Sequence, residues 1–562
     1  MSTPRTELAA LAETPLDLLV VGGGVTGCGA ALDAASRGLR VGLVEQADLG
    51  SGTSSRSSRL VHGGLRYLEQ FRFGLVREAL RERRLLLDRI APHLVRPIPF
   101  LYPLTRPLWE RPYVGAGLAL YDALAGASGV PGHRHLGRAA TLAQAPALRR
   151  DRIVGAVRYF DAQVDDARLT VALARTAERH GALIATEARV DAVEPGEHGP
   201  RVTVADARTG GRVRLSPRRV LLAAGPWTGL LARDCGLAPG GAGPRVTMSK
   251  GVHLVVDREL IDCSTAVIAR TPHSVLFLIP WERHFIIGTT DTPWTAAPGE
   301  VAATSRDVGY LLDQANRLLA RPLRPSDVAA AYAGVRPLVA TAGSGSGDRP
   351  TTSISREHVV TRLAPGVFAV AGGKLTTYRV MAADAVDLAF RDAPIAPSRT
   401  HRLPLVGAAW YTATRARAGR LAERGGLGRE AVERLLRRHG DETEDLIDAA
   451  RGTPGLLDPL PGAPGYLRVE VIWAARREKA RHLADVLVRR LRVATETADR
   501  GASAAGHAAA LLAGELGWDE RRTQAEIDAY LSWARAERDA LSAPDDPASP
   551  AGRRVDHSET SM

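Results

Sequence analysis

A glycine-rich turn near the start of the chain restricts the fold more than any other feature of the sequence. An apolar run at residues 16–21 is followed by the pattern G-x-G-x-x-G at Gly22, Gly24 and Gly27. Residues 25–37 have helical spacing and residues 40–44 form a second apolar run, which predicts a β-α-β unit. In such a unit the first glycine permits the tight turn, the second lets the backbone approach a pyrophosphate, and the third lets helix and strand pack closely.

Glu45 ends the second predicted strand, about twenty residues after Gly24. A carboxylate at this distance accepts a hydrogen bond from a ribose hydroxyl of a dinucleotide and repels the 2′-phosphate of NADP. The unit therefore predicts a dinucleotide cofactor whose pyrophosphate lies at the N-terminus of the helix. The pattern alone does not separate NAD from FAD.

Length and composition predict a protein of several domains. The chain has 562 residues, of which 45% are hydrophobic and 24% charged, as in ordinary soluble proteins. Because no run of about 18 apolar residues is present, no membrane-spanning helix is expected. The cysteines match no zinc motif and are odd in number, so we expect no metal site and a reducing compartment; they are Cys28, Cys235 and Cys263.

The formal net charge of +12 favours an anionic partner. No block of like charge and no alternation of basic and aromatic residues marks a nucleic-acid surface, so nucleic-acid binding is not expected. A basic helix predicted at residues 75–90 and an apolar, aromatic stretch at 97–125 could together lie on an anionic membrane surface. The alternative is that both segments pack inside the protein.

The remaining segments indicate more than one kind of sheet. Strand–helix alternation continues to about residue 225, and residues 367–390 are a last strand–helix pair. Residues 245–291 are rich in predicted strands and indicate an antiparallel sheet. Residues 408–541 have helical patterns, and residues 1–14 are expected to be an unstructured lead-in.

Further motifs follow one another in a distinctive order. They are residues 53–68 (TSSRSSRLVHGGLRYL), 164–169 (VDDARL), 224–227 (AGPW), 288–291 (GTTD), 334–338 (GVRPL), 372–379 (GGKLTTYR), 466–470 (YLRVE) and 486–490 (VLVRR). Over about residues 15–500 this order resembles the FAD-dependent (aerobic, respiratory) glycerol-3-phosphate dehydrogenase family. The resemblance implies that the dinucleotide is FAD.

The resemblance also implies an α/β fold and its division into domains. The FAD-binding, Rossmann-like domain is of the glutathione-reductase or D-amino-acid-oxidase type and is expected to consist of residues 15–90, 150–232 and 356–395. We expect an insertion that could face a membrane at 91–149 and a substrate-binding domain with an antiparallel sheet at 233–355. A helical C-terminal domain at 401–541 and a disordered tail at 542–562 complete the division.

Oxidation of a secondary alcohol by a flavin requires a hydride acceptor, a group that takes the hydroxyl proton, and a firm hold on the substrate. The resemblance implies that five side chains bind the phosphorylated substrate, namely Arg66, Arg336, Arg356, Lys374 and Thr376. We expect His62 to take the proton and Arg336 to stabilise the developing alkoxide. The alternative for His62 is a structural role in ordering its loop.

Other residues are expected to contact the cofactor because they lie in the glycine-rich turn, in the polar loop after Glu45, or in the two later turns that the resemblance includes. They are Gly22, Gly24, Gly27, Glu45, Thr53, Ser54, Ser55, Ser58, His62, Gly225, Gly373, Leu375 and Thr376. Asp165 and Asp166 precede a helical run and are expected to cap that helix.

The resemblance implies oxidation of sn-glycerol 3-phosphate to dihydroxyacetone phosphate by hydride transfer to FAD, with the electrons passed to a membrane quinone. It implies a homodimer that is cytoplasmic and peripherally associated with the inner face of the cell membrane.

Three alternatives stay open. One is a soluble oxidase of the same substrate that gives the electrons to oxygen and releases hydrogen peroxide. The short segment between Arg336 and Lys374 favours the dehydrogenase over this oxidase. The others are a flavoprotein that oxidises an amino acid or hydroxy acid and a non-enzymatic scaffold at a membrane surface.

Overall fold

The structure is a computed structural model that describes residues 6–126, 129–237, 246–272, 274–339 and 357–543. Arg356, and residues 544–562 of the expected tail, lie outside this part of the chain. The described residues form a parallel sheet, a large mixed sheet and a group of C-terminal helices.

The parallel sheet has six strands. In spatial order they are His358–Ala364, Val367–Gly372, Val220–Leu222, Leu18–Val21, Val41–Val44 and Leu183–Ala185. All pairs are parallel except the first, in which His358–Ala364 runs antiparallel to its neighbour. Leu18–Val21 is buried at every position because both faces of the sheet are covered.

Three helices cover one face of the parallel sheet, namely Val25–Ser36, Asp166–Arg179 and Tyr378–Ala389. A three-stranded antiparallel sheet and the helix Thr6–Glu13 cover the other face; its strands are Arg212–Leu215, Arg201–Asp206 and Ala188–Glu194. The expectation of an unstructured lead-in is therefore wrong for residues 6–13, because Leu8 and Leu11 are buried in this layer.

The large sheet has ten strands. Eight follow the order Thr292–Trp294, Val246–Asp257, His284–Gly288, Val275–Trp281, Ala266–Arg270, Val95–Leu104, Gly155–Val164 and Leu60–Val61. Two more pair at its side: Val328–Val339 with Val246–Asp257, and Arg134–Gly137 with Gly155–Val164. Only Ala266–Arg270 and Val95–Leu104 pair in parallel among the described strands of this sheet.

The segment 91–149, expected as an insertion, contributes to this sheet. Val95–Leu104 lies between two other strands, and Phe100, Leu101 and Leu104 are buried. The first eight residues of the apolar stretch at 97–125 therefore form a largely buried strand, which leaves the part after residue 104 as the candidate membrane surface. That part contains the helix Glu110–Ala125.

The basic helix predicted at residues 75–90 is Phe73–Leu85, continued by a π-helical turn, Leu86–Ile90. It packs beside Glu110–Ala125. Within the ranges given above, no helix is both long and apolar enough to cross a bilayer.

The C-terminal part is mostly helical. Its helices are Tyr411–Ala416, Ala418–Gly425, Arg429–His439, Thr443–Ala449, Arg468–Arg477, Val493–Glu496, Ala502–Leu516 and Glu520–Ala540, with a π-helical turn, Asp485–Arg490. A hairpin joins Pro459–Leu460 to Ala463–Leu467. The remaining α-helices of the described residues are Arg138–Gln144, Thr228–Asp234 and Ser305–Asn316.

Buried ion pairs attach these helices to the rest of the chain. Arg490 donates to both carboxylate oxygens of Asp48, at 2.6 and 2.7 Å. His482 lies between two carboxylates, with Nε2 2.8 Å from Glu187 and Nδ1 2.8 Å from Glu526. Burial alone would lower the pKa of His482, but these hydrogen bonds outweigh burial and raise the pKa to about 10.

The raised pKa of His482 predicts a pH-dependent stability. Protonated His482 stabilises the folded protein. This contribution is fully present below the unfolded-state pKa of about 6.5 and is lost as the pH rises through about 10. We expect the free energy of unfolding of the wild-type protein to fall across this range by more than that of His482→Gln. Urea denaturation at fixed ionic strength measures both profiles. Parallel profiles would contradict the assignment of a charged His482.

Candidate active site

A cavity of about 530 Å³ lies between the parallel sheet and the large sheet. Of the predicted site residues, those that line it are Gly22, Gly24, Glu45, Thr53, Ser54, Ser58, His62, Gly225, Arg336, Gly373, Lys374, Leu375 and Thr376. The structure thus brings together, in one cavity, residues from the three expected FAD-binding segments and from the expected substrate-binding domain. A volume in this range is typical of sites for small molecules and cofactors.

The glycine-rich turn forms one end of the cavity. Gly22 has a φ of +115°, and a Cβ added to Gly27 would lie 1.9 Å from the carbonyl oxygen of Gly22. Gly27 therefore lies behind the cavity wall, where it allows the helix to pack against the strand end. The amide of Val25 begins this helix and donates to Oγ of Ser54 at 2.9 Å.

Glu45 lies beside this turn and is held by backbone amides. Its Oε2 accepts from Gly23 at 2.6 Å and its Oε1 accepts from Ala47 at 2.9 Å. Burial raises the pKa of Glu45, and the two amide hydrogen bonds oppose that effect. Each carboxylate oxygen keeps a second lone pair for a ribose hydroxyl.

The turn, the helix N-terminus and the carboxylate fit FAD. A Cβ added to Gly24 would meet only Oγ of Ser54, at 3.1 Å, so the backbone at Gly24 is open to a pyrophosphate from the cavity side. Glu45 lies at the end of the second strand, at the position of a ribose ligand.

We call residues 51–59 the serine loop, since they follow Glu45 and cover the cavity. Thr53 donates from Oγ1 to the carbonyl oxygen of Val335 at 2.6 Å, which ties the loop to the large sheet. Oγ of Ser58 is 2.7 Å from Nε2 of His253. Ser55 is buried and does not line the cavity, so its predicted cofactor contact is not visible in this geometry.

His253 is a cavity residue that the sequence analysis missed. It lies on Val246–Asp257 and stacks on Tyr332 with ring centroids 4.9 Å apart. Burial lowers the pKa of His253 to about 3, and the charges of Arg336 and Arg59 act in the same direction, so the imidazole is neutral. The one signal in the sequence is a lone histidine in the apolar run GVHLVV.

Arg336 is fixed by the GTTD motif. It donates to Oγ1 of Thr289 at 2.7 Å and to the carbonyl oxygen of Thr290 at 3.1 Å, and it lies 3.7 Å from Asp291. A Cβ added to Gly251 would lie 2.2 Å from Nη2 of Arg336, so this glycine provides room for the guanidinium. The orientation of Arg336 is therefore set before any substrate binds.

Lys374 and His62 lie on the same side of the cavity. Nζ of Lys374 is 3.8 Å from the ring centroid of Tyr67, a cation–π contact. The hydroxyl of Thr376 accepts from the amide of His62 at 3.1 Å and donates to its carbonyl oxygen at 3.3 Å. The turn that contains Lys374 and Thr376 thus holds His62 in place.

One predicted substrate ligand, Arg66, is described by the structure but is not brought to this cavity. Arg66 donates from Nη1 to Oγ of Ser274 at 3.3 Å and does not line the cavity. Its neighbour Tyr67 does, because adjacent side chains on the 3-10 turn Leu65–Tyr67 diverge by about 120°. Arg356 lies outside the described residues.

Asp165 caps the helix Asp166–Arg179, as predicted, by accepting from the amide of Arg168 at 3.1 Å. Asp166 is the first residue of that helix, and its carboxylate accepts from the amide of Ala167 and from the amide and hydroxyl of Ser57.

A methyl group at Gly27 is predicted to force the helix away from the glycine-rich turn. We expect Gly27→Ala to cost about 1–3 kcal/mol of stability and to abolish retention of FAD, because the added Cβ meets backbone. Thermal unfolding and the ratio of flavin to protein absorbance measure both effects. Gly506→Ala is the matched control, since nothing lies within 4 Å of that helical position and alanine should stabilise it slightly. Full flavin retention in Gly27→Ala would contradict this packing role.

Two family models match the chain. The model described as FAD dependent oxidoreductase matches residues 17–387. The model described as the C-terminal domain of alpha-glycerophosphate oxidase matches residues 398–523. Together they confirm the predicted fold class, an FAD-binding α/β fold followed by a helical C-terminal domain.

The chain is similar to named proteins over most of its length. It is 47% identical over 536 residues to glycerol-3-phosphate dehydrogenase 2 of Mycobacterium tuberculosis, which covers 94% of this chain and 90% of that protein. It is 36% identical over 550 residues to the mitochondrial glycerol-3-phosphate dehydrogenase of Mus musculus, covering 93% of this chain and 74% of that protein.

A solved structure is similar as well. The X-ray structure of the glycerol-3-phosphate dehydrogenase from Bacillus halodurans complexed with FAD superposes with a TM-score of 0.77 and 26% identity, over 96% of this chain and 97% of that one. The chain therefore belongs to the family of FAD-dependent glycerol-3-phosphate dehydrogenases, and FAD is its cofactor.

Proposed function

We propose that this chain oxidises sn-glycerol 3-phosphate to dihydroxyacetone phosphate and that its electrons pass to a membrane quinone. The observation that best supports this function is the presence of two cations, Arg336 and Lys374, with His62 in the same cavity as the dinucleotide-binding turn. FAD, when bound, supplies the centre that accepts a hydride. The chain's own residues bind, orient and deprotonate the substrate.

In this proposal the cofactor is held by the residues predicted for it that line the cavity. Gly24 binds the pyrophosphate through its backbone amide, Gly22 forms the turn that lets the backbone approach it, and Glu45 binds a ribose hydroxyl. The remaining contacts come from the serine loop and from two turns of the parallel sheet, namely Thr53, Ser54, Ser58, Gly225, Gly373, Leu375 and Thr376.

The substrate is held by charge. Lys374 provides an ammonium group for the phosphate, and Arg356 stays a predicted second phosphate ligand. Arg336 is oriented by Thr289 and Thr290, so it can stabilise the negative charge that develops on the substrate oxygen without reorganising. His62 takes the hydroxyl proton, and its backbone is held by Thr376 while it does so.

Anaerobic reduction of the flavin tests this function. Glycerol 3-phosphate should bleach the visible absorbance of the FAD-loaded protein, and a soluble quinone analogue should restore it. Lactate and amino acids should not bleach it. An unbleached flavin would contradict the proposal, and hydrogen peroxide released under air in step with substrate would show that oxygen is the acceptor.

His62 and His253 are the two cavity histidines to compare. We expect His62→Ala to lower the rate of flavin reduction by about 10²–10⁴-fold in stopped flow, because a proton acceptor is lost, and to weaken FAD retention by much less. We expect His253→Ala to lower the rate of flavin reduction by less, since Nε2 of His253 is bonded to Ser58 and His62 is the proposed proton acceptor. Wild-type reduction by His62→Ala would show that His62 only orders its loop.

An exposed apolar patch supports association with a membrane surface. Its side chains are Phe71, Phe73, Leu108, Trp109 and Tyr113, and Leu108 is 86% exposed. Tyr113 donates to Glu69 at 3.4 Å, which joins the helix Glu110–Ala125 to the loop that contains Phe71. We propose that this apolar patch, with Arg72 and Arg106 beside it, places the protein on the inner face of the cell membrane.

Vesicle binding tests the patch. Replacing Leu108 and Trp109 together by serine should weaken binding to anionic phospholipid vesicles by about tenfold or more, because two large apolar side chains are removed from the interface. Co-sedimentation measures this. Trp410→Ser is the control, since Trp410 is 73% exposed but lies in the C-terminal part. The proposal would be contradicted if the double variant bound vesicles as wild type does, or if Trp410→Ser lost as much vesicle binding as the double variant.

The division into domains and the oligomeric state are also proposals that rest on the family resemblance. We propose a homodimer, as the family resemblance implies, and light scattering of the purified protein measures its mass.

A further inference from the structure

Arg492, in the C-terminal part, contacts the backbone of the serine loop directly. Arg492 donates from Nη1 to the carbonyl oxygen of Ser55 at 2.9 Å. The same guanidinium donates to Asp165, at 2.9 Å from Nη2 and 3.2 Å from Nε, and to Oδ1 of Asp166. A single planar group therefore joins the loop to the start of the helix Asp166–Arg179.

Asp166 extends this contact to the cavity. Its Oδ2 accepts from the amide of Ser57 at 2.9 Å and from the hydroxyl of Ser57 at 2.6 Å. Ser57 and Ser58 both line the cavity, and Ser58 contacts His253. Asp166 alone therefore lies between Arg492 and Ser57, which lines the cavity.

The contact is buried. The side chain of Arg492 is 3% exposed and that of Asp166 is fully buried. Burial raises the pKa of Asp165, but the charges of Arg492 and Arg59 outweigh this and lower it, so Asp165 is ionised. Loss of one partner from such a group leaves charges that neither water nor another side chain compensates.

Neighbours of Arg492 hold the same region. Arg59, at the end of the serine loop, donates from Nη2 to Oγ1 of Thr495 at 3.1 Å. Arg500 donates to the carbonyl oxygen of Ala331 at 2.9 Å, and the adjacent Tyr332 donates to the carbonyl oxygen of Ser57 at 2.9 Å. The segment 492–500 therefore contacts the loop and the strand on which Tyr332 stacks against His253.

We propose that Arg492 is a positioning residue, through which the helical C-terminal part holds the serine loop in the conformation that binds FAD and orients the substrate side of the cavity. The proposal rests on the function proposed above for this cavity. Loops of small polar residues are mobile unless contacts hold them, and holding this loop before binding removes part of the cost of ordering it. The family's helical C-terminal part then contributes to the active site without lining it.

The test compares two arginines that join the same parts of the chain. Arg175 forms a two-point ion pair with Glu442, at 2.6 and 2.9 Å, and it contacts no residue of the serine loop in these hydrogen bonds. Arg492→Lys and Arg175→Lys both remove a guanidinium fork and keep the charge. Both should lower the melting temperature.

Only Arg492→Lys should change the site. We expect its dissociation constant for FAD, measured by flavin fluorescence, to rise about tenfold, and its rate of flavin reduction at saturating glycerol 3-phosphate to fall about tenfold. Arg175→Lys should differ from wild type by less than about twofold in both. If Arg492→Lys resembles Arg175→Lys in FAD affinity and in reduction rate, the positioning role is wrong.

A second pair keeps the test decisive if Arg492→Lys does not fold. Asp166→Asn weakens the link between Arg492 and Ser57 without altering a residue that lines the cavity, and Glu442→Gln is its control. Asp166→Asn should weaken FAD binding and shift the visible flavin spectrum, whereas Glu442→Gln should do neither. Wild-type FAD affinity and an unshifted spectrum in Asp166→Asn would overturn the proposal. A wild-type flavin that glycerol 3-phosphate does not bleach would instead contradict the proposed function.

Discussion

The close approach of Gly27 to the carbonyl oxygen of Gly22 is the constraint on which the cavity depends. No side-chain atom fits there, since an added Cβ would lie 1.9 Å from that oxygen. The helix Val25–Ser36 can therefore begin directly after the strand Leu18–Val21, with its N-terminus at the cavity. The position of Glu45, at the end of the neighbouring strand, follows from the parallel register.

Glycines shape the opposite wall in the same way. Gly251 leaves room for the guanidinium of Arg336, and Gly288 leaves room for the ring of His253, which a Cβ would approach to 2.3 Å. The polar groups of this wall are fixed by neighbouring strands, and Thr289 and Thr290 hold Arg336 directly. A wall that is oriented in advance stabilises developing charge more effectively than side chains that must rearrange.

Buried ion pairs make the helical C-terminal part continuous with this site. Arg490 binds Asp48 just after Glu45, and Arg492 binds Asp165 and Asp166 beside the serine loop. Such pairs contribute little net stability when complete, but breaking one is costly, so they specify one way of docking. The two segments that match family models, residues 17–387 and 398–523, are therefore joined at the active site. Only residues of the first segment line the cavity among those described.

The short-range features of the chain were predictable. The apolar runs, the glycine spacing and the position of Glu45 predicted the β-α-β unit, because turn chemistry and periodicity act over a few residues. The order of later motifs predicted the family, the FAD cofactor and the fold class, all of which are confirmed. Arg336, Lys374 and His62 meet in one cavity, and their roles stay predictions.

Contacts between distant segments were not predictable in this way. Arg66 has the same motif context as His62, yet a 3-10 turn directs it to Ser274, away from the cavity. His253 meets Ser58 across 195 residues, and Arg492 meets Ser55 across 437. The sequence by itself therefore determined the cofactor-binding unit and the family. Only the tertiary structure decided which histidine and which arginine face the serine loop, because sheet register and helix docking depend on packing that no local pattern records.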